Sequence, residues 1–87
     1  MSSVDDLREA LEQLAADTEA EVATLTTSNQ TLEDKKSELN AELDTSNTGR
    51  DVGAAFDAAI TAVEEAIQKL TEAADKANDY AQALIDN

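Results

Sequence analysis

The chain has 87 residues, of which twenty are acidic and six basic, and its formal net charge is −14. Histidine, cysteine and proline are absent, so imidazole bases, thiolate nucleophiles and the commonest zinc ligands are missing. We therefore expect no enzyme activity, no cofactor, no metal site and no small-molecule substrate. The negative charge repels nucleic-acid phosphate and anionic lipid. So short a chain forms one domain, residues 1–87, with a thin core.

The first residues, MSSVDDLREAL, lack both the basic start and the continuous apolar run of a signal peptide. No stretch approaches the roughly 20 apolar residues of a membrane span. We expect no membrane insertion. The protein is predicted to be soluble, and either cytoplasmic or exported without an ordinary signal peptide.

The first half of the sequence predicts a long helix over about residues 4–47. Ser3 and Asp6 fit a capping box, which places the helix start near Val4. Apolar positions then recur at alternating steps of three and four, with one extra step of four between Thr18 and Val22. This spacing indicates a coiled-coil seam with one stutter. The seam comprises Val4, Leu7, Leu11, Leu14, Thr18, Val22, Leu25, Asn29, Leu32, Lys36, Leu39 and Leu43.

Two seam positions of the first helix, Asn29 and Lys36, are polar. They are interpreted either as polar layers that fix the register or as residues at the edge of the seam, with polar ends that reach water.

A turn is predicted at about residues 47–51, in a stretch that holds both glycines of the chain. Gly49 can take the left-handed conformation that ends a helix, and Asp51 is a suitable N-cap for the next one. Phe56 is expected to anchor the turn. Gly53 weakens a helix start by up to about 1 kcal/mol relative to alanine. We therefore interpret it either as a contact with a partner or as a residue retained from related proteins.

The second half predicts a helix over about residues 51–86 with an unbroken seam. Its members are Phe56, Ile60, Val63, Ile67, Leu70, Ala74, Ala77, Ala81 and Leu84. The short break between the helices favours an antiparallel pair. Folding about Thr48 and Gly49 would place Asn29 near Leu70 and Lys36 near Val63. Val4 and Leu7 would then project beyond the second helix.

The predicted fold is all-α: an antiparallel helical hairpin that assembles into a four-helix bundle. Alanines and Tyr80 flank the second seam and widen its apolar face beyond what one helix can cover. A homodimer is the simplest assembly, and a hetero-dimer with a similar hairpin is the alternative. The alanines are also explained by helix propensity alone.

Two groups of residues are the candidates for interaction. The seam and overhang group is Val4, Leu7, Leu11, Leu14, Val22, Leu25, Leu32, Leu39, Leu43, Phe56, Ile60, Val63, Ile67, Leu70, Tyr80 and Leu84. The turn group is Gly49, Asp51 and Gly53.

The segments TGRDVGAAF and AADKANDYAQAL give the chain a family resemblance. It resembles the Trp-x-Gly helical hairpins of bacterial type VII secretion and the related partners of their toxin substrates. Gly49, Gly53 and Phe56 match the family's turn, and Tyr80 matches its export tyrosine. Tryptophan is absent, and Leu84 stands where the export signal has an acidic residue. The resemblance implies pairing with another hairpin to escort or present a substrate.

Two other functions fit the same composition. One is a structural or scaffold coiled coil of phage type. The other is an acidic inhibitor whose carboxylates imitate nucleic-acid phosphates and block a basic groove.

Overall fold

The computed structural model describes residues 3–40, 42 and 47–86, which form two α-helices and part of a turn. Helix α1 spans Ser3–Asn40 and helix α2 spans Asn47–Asp86. At 1.5 Å per residue these helices are about 57 and 60 Å long, which agrees with overall dimensions of 64 × 15 × 15 Å. They lie side by side and antiparallel, so the prediction of an all-α helical hairpin is confirmed.

Helix α1 begins within one residue of the predicted start, and its first turn carries Asp5 and Asp6. Carboxylates there interact favourably with the helix dipole. Several threonines of low helix propensity bond back to their own helix. The hydroxyl of Thr18 donates to the carbonyl oxygen of Leu14 at 2.7 Å, and that of Thr26 to Val22 at 2.8 Å. These bonds satisfy the hydroxyl groups without another helix.

The turn lies earlier in the chain than predicted. Helix α1 ends at Asn40 instead of continuing to 47, and the backbone amide of Glu42 donates to the carbonyl of Leu39 at 2.8 Å. Helix α2 already begins at Asn47, directly after Asp44, Thr45 and Ser46, which are residue types that favour helix starts. Residues 41 and 43–46, including the predicted seam residue Leu43, lie outside the described part.

The predictions for Gly49 and Asp51 are wrong. Both residues are helical, and no described residue has a positive φ. Gly49 therefore does not end α1 in a left-handed conformation. Asp51 lies in the second turn of α2 and is too far inside the helix to be its N-cap. Gly49 is buried and continues the inward face of α2 towards the turn.

The helices pair in a different register from the one predicted. The side-chain amide of Asn29 contacts the carbonyl oxygen of Ile60, instead of lying near Leu70. This is a shift of ten residues along α2, or about 15 Å. The shift follows from the earlier turn. Ser3 is 26 residues before Asn29 and Asp86 is 26 residues after Ile60, so the helix ends are level and the predicted overhang of Val4 and Leu7 is absent.

The inward face of α1 also follows a different line near its start. Alternating steps of three and four run without a stutter through Arg8, Leu11, Ala15, Thr18 and Val22. The residues that continue this line are Leu25, Asn29, Leu32 and Lys36. A stutter would rotate the face of α1 away from α2, whose own inward face is unbroken. Leu7 and Leu14, predicted in the seam, consequently lie beside it and are exposed.

In α2 the inward-facing residues coincide with the nine seam positions from Phe56 to Leu84, and the line extends back through Gly53 and Gly49. Among the described residues, no helix is both long and apolar enough to cross a membrane.

Candidate interaction surface

The seam between the helices is only partly covered. Its buried apolar residues are mostly small: Ala15, Ala74 and Ala81 are 1 to 2% exposed and Ile60 is 7% exposed. Among the described residues, none of the large side chains is fully buried. The remaining large seam residues are half-buried, namely Leu11, Val22, Leu25, Leu32, Phe56, Val63, Ile67, Leu70 and Leu84. Two helices therefore leave one side of most large seam residues open.

The surface area of the hairpin leads to the same conclusion. Its accessible surface is 6303 Å², whereas a compact monomer of 9.2 kDa exposes about 4,900 Å². The excess of about 1,400 Å² exceeds the roughly 800 Å² that each partner buries in a standard protein interface. The elongated pair of helices is therefore less compact than a typical monomer of its mass.

Asn29 is the buried polar residue of the seam, at 7% exposure. Its Nδ2 donates to the carbonyl oxygen of Ile60 at 3.4 Å, while its buried Oδ1 has no hydrogen-bond partner. An unpaired buried acceptor costs about 1–3 kcal/mol. Of the two interpretations of Asn29, the structure selects the polar layer inside the seam, at a cost in stability.

Lys36 is half-buried, and its ammonium group reaches out of the seam to form an ion pair with the carboxylate of Asp57. It therefore behaves as the edge residue of the second interpretation, with its stem against the seam and its charge at the surface. The pair joins α1 to α2 near the turn.

One long edge of the hairpin is polar, and we call it the polar edge. Two shallow grooves there are lined from both helices by residues that follow an inward position, such as Gln30 after Asn29 and Gln68 after Ile67. The polar edge consists of Thr26, Gln30, Glu33, Asp57, Thr61, Glu64 and Gln68. Because the following positions of both helices meet here, the positions that precede an inward residue meet at the opposite edge.

The opposite edge is apolar towards the chain termini, and we call it the apolar edge. It consists of Leu7, Leu14, Ala66, Ala73 and Tyr80, each of which directly precedes an inward residue. Leu14 is 58% and Tyr80 53% exposed. Large residues come from α1 and alanines mostly from α2. Sequence reasoning placed Leu7 and Leu14 in the seam and did not identify this edge; the unbroken spacing from Arg8 was the signal that could have found it.

Among the described residues, four other large apolar side chains are exposed: Val4 and Ile85 near the termini, and Leu39 and Val52 near the turn. Val52 and Ile85 were not among the sequence-predicted positions. With Leu7, Leu14 and Tyr80, five of these seven residues lie at the end of the hairpin that is remote from the turn. The exposed apolar surface is therefore concentrated there.

Gly53 lies on the inward face of α2 and is half-buried. A Cβ atom built on it would meet nothing within 4 Å. Among the residues that the structure describes, no neighbouring backbone requires a glycine at this position.

The carboxylates of the described residues are dispersed along the helices, and no group of three metal-ligating side chains comes together among them. The polar-edge grooves are open and carry amides, hydroxyls and carboxylates. Comparisons of the chain with protein-family models, curated proteins and solved structures give no match.

Proposed function

We propose that the protein is a non-enzymatic helical interaction protein, which packs its apolar surface against further helices of a second copy or of another helical hairpin. The observation that carries this proposal is the absence of a fully buried large side chain among the described residues. A seam this long, closed by only one partner helix, leaves most of its leucines and isoleucines half-exposed. Further helices would cover them and complete a bundle core.

The apolar edge supports the same proposal. Isolated exposed apolar residues are common on proteins and need no partner. Here, however, Leu14, Tyr80 and the alanines of the apolar edge all flank the half-buried seam on the same side. Such a flank, in which small residues allow backbones to approach, suits the side of a helix bundle.

The resemblance to type VII secretion hairpins gives the proposal a specific form. In that form the protein would pair with a different hairpin and escort or present a substrate. Co-expression with a candidate partner, followed by purification of the complex, would test this form separately from self-association.

The general proposal is tested by sedimentation equilibrium of the native chain from 1 to 200 μM. We expect at least a dimer at tens of micromolar. Leu14→Gln should weaken association by about tenfold or more, because it removes apolar area from both copies of the interface. Leucine and glutamine have similar helix propensities, so the hairpin itself should persist.

The matched control is Gln68→Leu on the polar edge, which should leave the association constant within about twofold of the native value. A native chain that stays monomeric at all concentrations, is helical, melts cooperatively and binds no other hairpin would contradict the proposed function.

A further inference from the structure

The apolar edge is bordered by charges of opposite sign on the two helices. Asp17 lies three residues after Leu14 on α1, and Glu21 continues the line of Leu14 one heptad later. On α2, Lys69 and Lys76 lie three residues after Ala66 and Ala73. Residues three apart on a helix are surface neighbours. The outer border of the edge therefore carries the carboxylates of Asp17 and Glu21 on α1 and the ammonium groups of Lys69 and Lys76 on α2. The acidic neighbours of these lysines three or four residues away on α2 are Glu65, Glu72 and Asp79.

These charges have no partner across the hairpin. The carboxylate of Asp17 accepts a hydrogen bond from Gln13 of its own helix at 2.9 Å. Within the described residues, neither Lys69 nor Lys76 forms an ion pair. All of these side chains are exposed, so each is available to a partner.

The acidic and basic borders are also level with one another. Asn29 pairs with Ile60 and Lys36 with Asp57, so residues that are level across the hairpin have numbers that add up to about 89–93. Asp17 with Lys76 and Glu21 with Lys69 both satisfy this rule. Leu14 is level with Tyr80 to within about one residue by the same rule.

We propose that the apolar edge is the contact surface of a symmetric homodimer, in which a two-fold axis along the hairpin places α1 of one copy against α2 of the other. This inference rests on the proposed function and specifies its partner. Such an axis keeps every residue at its own level. Asp17 of each copy then meets Lys76 of its partner, and Glu21 meets Lys69, on both sides of the apolar contact.

The sizes of the side chains agree with the same two-fold arrangement. Helix α1 presents Leu7 and Leu14, whereas α2 presents mainly Ala66 and Ala73. Packing α1 against α2 of the other copy sets large residues against small ones, which fills space better than leucine against leucine. An axis perpendicular to the hairpin would instead oppose like helices, with acidic border against acidic border.

The net charge of −14 per chain opposes any association of two copies at low ionic strength. At 0.15 M salt the Debye length is about 8 Å, so distant charges are largely screened while adjacent pairs at the border still interact. The four border pairs per dimer then decide which arrangement is favoured.

Charge reversal tests the arrangement. Asp17→Lys with Glu21→Lys changes the net charge from −14 to −10, and Lys69→Glu with Lys76→Glu changes it to −18. We expect each double variant to dimerise at least about tenfold more weakly than the native chain. The quadruple variant, whose net charge is again −14, should recover native affinity to within about threefold.

If net charge alone governed association, the −10 variant would dimerise more tightly and the −18 variant more weakly. That result, or a quadruple variant that does not recover, would overturn the proposed arrangement. All four positions are exposed, and circular dichroism verifies that each variant remains helical.

A second measurement uses the absence of native cysteine. Asp17→Cys and Lys76→Cys chains, mixed in a glutathione redox buffer, should form a covalent dimer, whereas each chain alone should not. A native chain that dimerises without this cross-link would refute the two-fold arrangement but not the proposed function. A native chain that binds only a different hairpin would likewise refute the homodimer alone. Association with nothing would refute both.

Discussion

The two long edges of the hairpin differ although the same two helices form them. The polar edge carries Gln30, Glu33 and Gln68 and the interhelical ion pair of Lys36 with Asp57. The apolar edge carries Leu14, Tyr80 and alanines. Both flank one thin seam. The hairpin therefore has one polar edge and one edge that is apolar towards the chain termini, although its composition as a whole is strongly acidic.

The seam lies between the two edges, and its disruption should lower the free energy of unfolding more than any change at either edge. Ile60 is the largest of the buried apolar residues, at 7% exposure. Ile60→Ala should lower the free energy of unfolding by about 2–4 kcal/mol, because it removes buried methyl groups from a core that cannot collapse around the gap. Urea unfolding monitored by circular dichroism measures this change.

The control for Ile60→Ala is Ala59→Ser, the exposed neighbour that precedes it, which should change the free energy of unfolding by no more than about 0.5 kcal/mol. Equal effects of the two substitutions would mean that the seam is not the core.

A substitution of Asn29 should have the next largest effect on the free energy of unfolding, and this effect is stabilising. Asn29→Leu should raise the free energy of unfolding by about 1–2 kcal/mol, because it removes a buried Oδ1 without a hydrogen-bond partner and adds apolar burial. Gln30→Leu, one residue further and exposed on the polar edge, is the matched control with little expected change. A destabilised Asn29→Leu variant would show that the amide contributes more than its bond to Ile60.

Gly53→Ala should stabilise the hairpin by about 0.5–1 kcal/mol, because alanine favours the helix and the added Cβ meets nothing within 4 Å. Ala54→Gly at the exposed neighbouring position is the mirror control, with a similar loss. Thermal melts at equal concentration compare them. If Gly53→Ala instead weakened dimerisation, a partner backbone would lie against this glycine.

The ion pair on the polar edge should have the smallest effect. The side chain of Asp57 is 60% exposed, and exposed pairs contribute about 0.2–1 kcal/mol. A double-mutant cycle of Lys36→Met and Asp57→Asn at 0.15 M salt should therefore give a coupling of about 0.2–1 kcal/mol. A coupling above about 2 kcal/mol would mean that the polar edge, too, is excluded from water.

Prediction from sequence succeeded where a long periodic pattern determines the structure. The nine inward positions of α2 are spaced regularly over about eight turns, so one helix face is favoured throughout. The start of α1 gave an ambiguous pattern, because Leu7, Leu11 and Leu14 form one apolar line while Arg8, Leu11 and Ala15 form another. Hydrophobicity favours the first line, yet the pairing with α2 selects the second.

The turn shows more clearly that local sequence preferences do not decide how the helices pack. Gly49 and Asp51 are typical of a helix end and a helix start, but both lie inside α2. Local preferences of about 1 kcal/mol per residue are small beside the packing of a seam that runs the length of the hairpin. With the earlier turn, the contact of Asn29 lies ten residues earlier along α2 than predicted, and that of Lys36 six residues earlier.

The sequence by itself determined the helices, their antiparallel pairing and the inward face of α2, because these follow from periodic patterns and from the short break between them. The tertiary structure decided the register, the buried position of Asn29 and the exposure of Leu7 and Leu14 at one edge. These depend on which of two nearly equivalent faces of α1 meets α2. The packing summed along both helices decides which face of α1 meets α2, and no short segment of the sequence determines it.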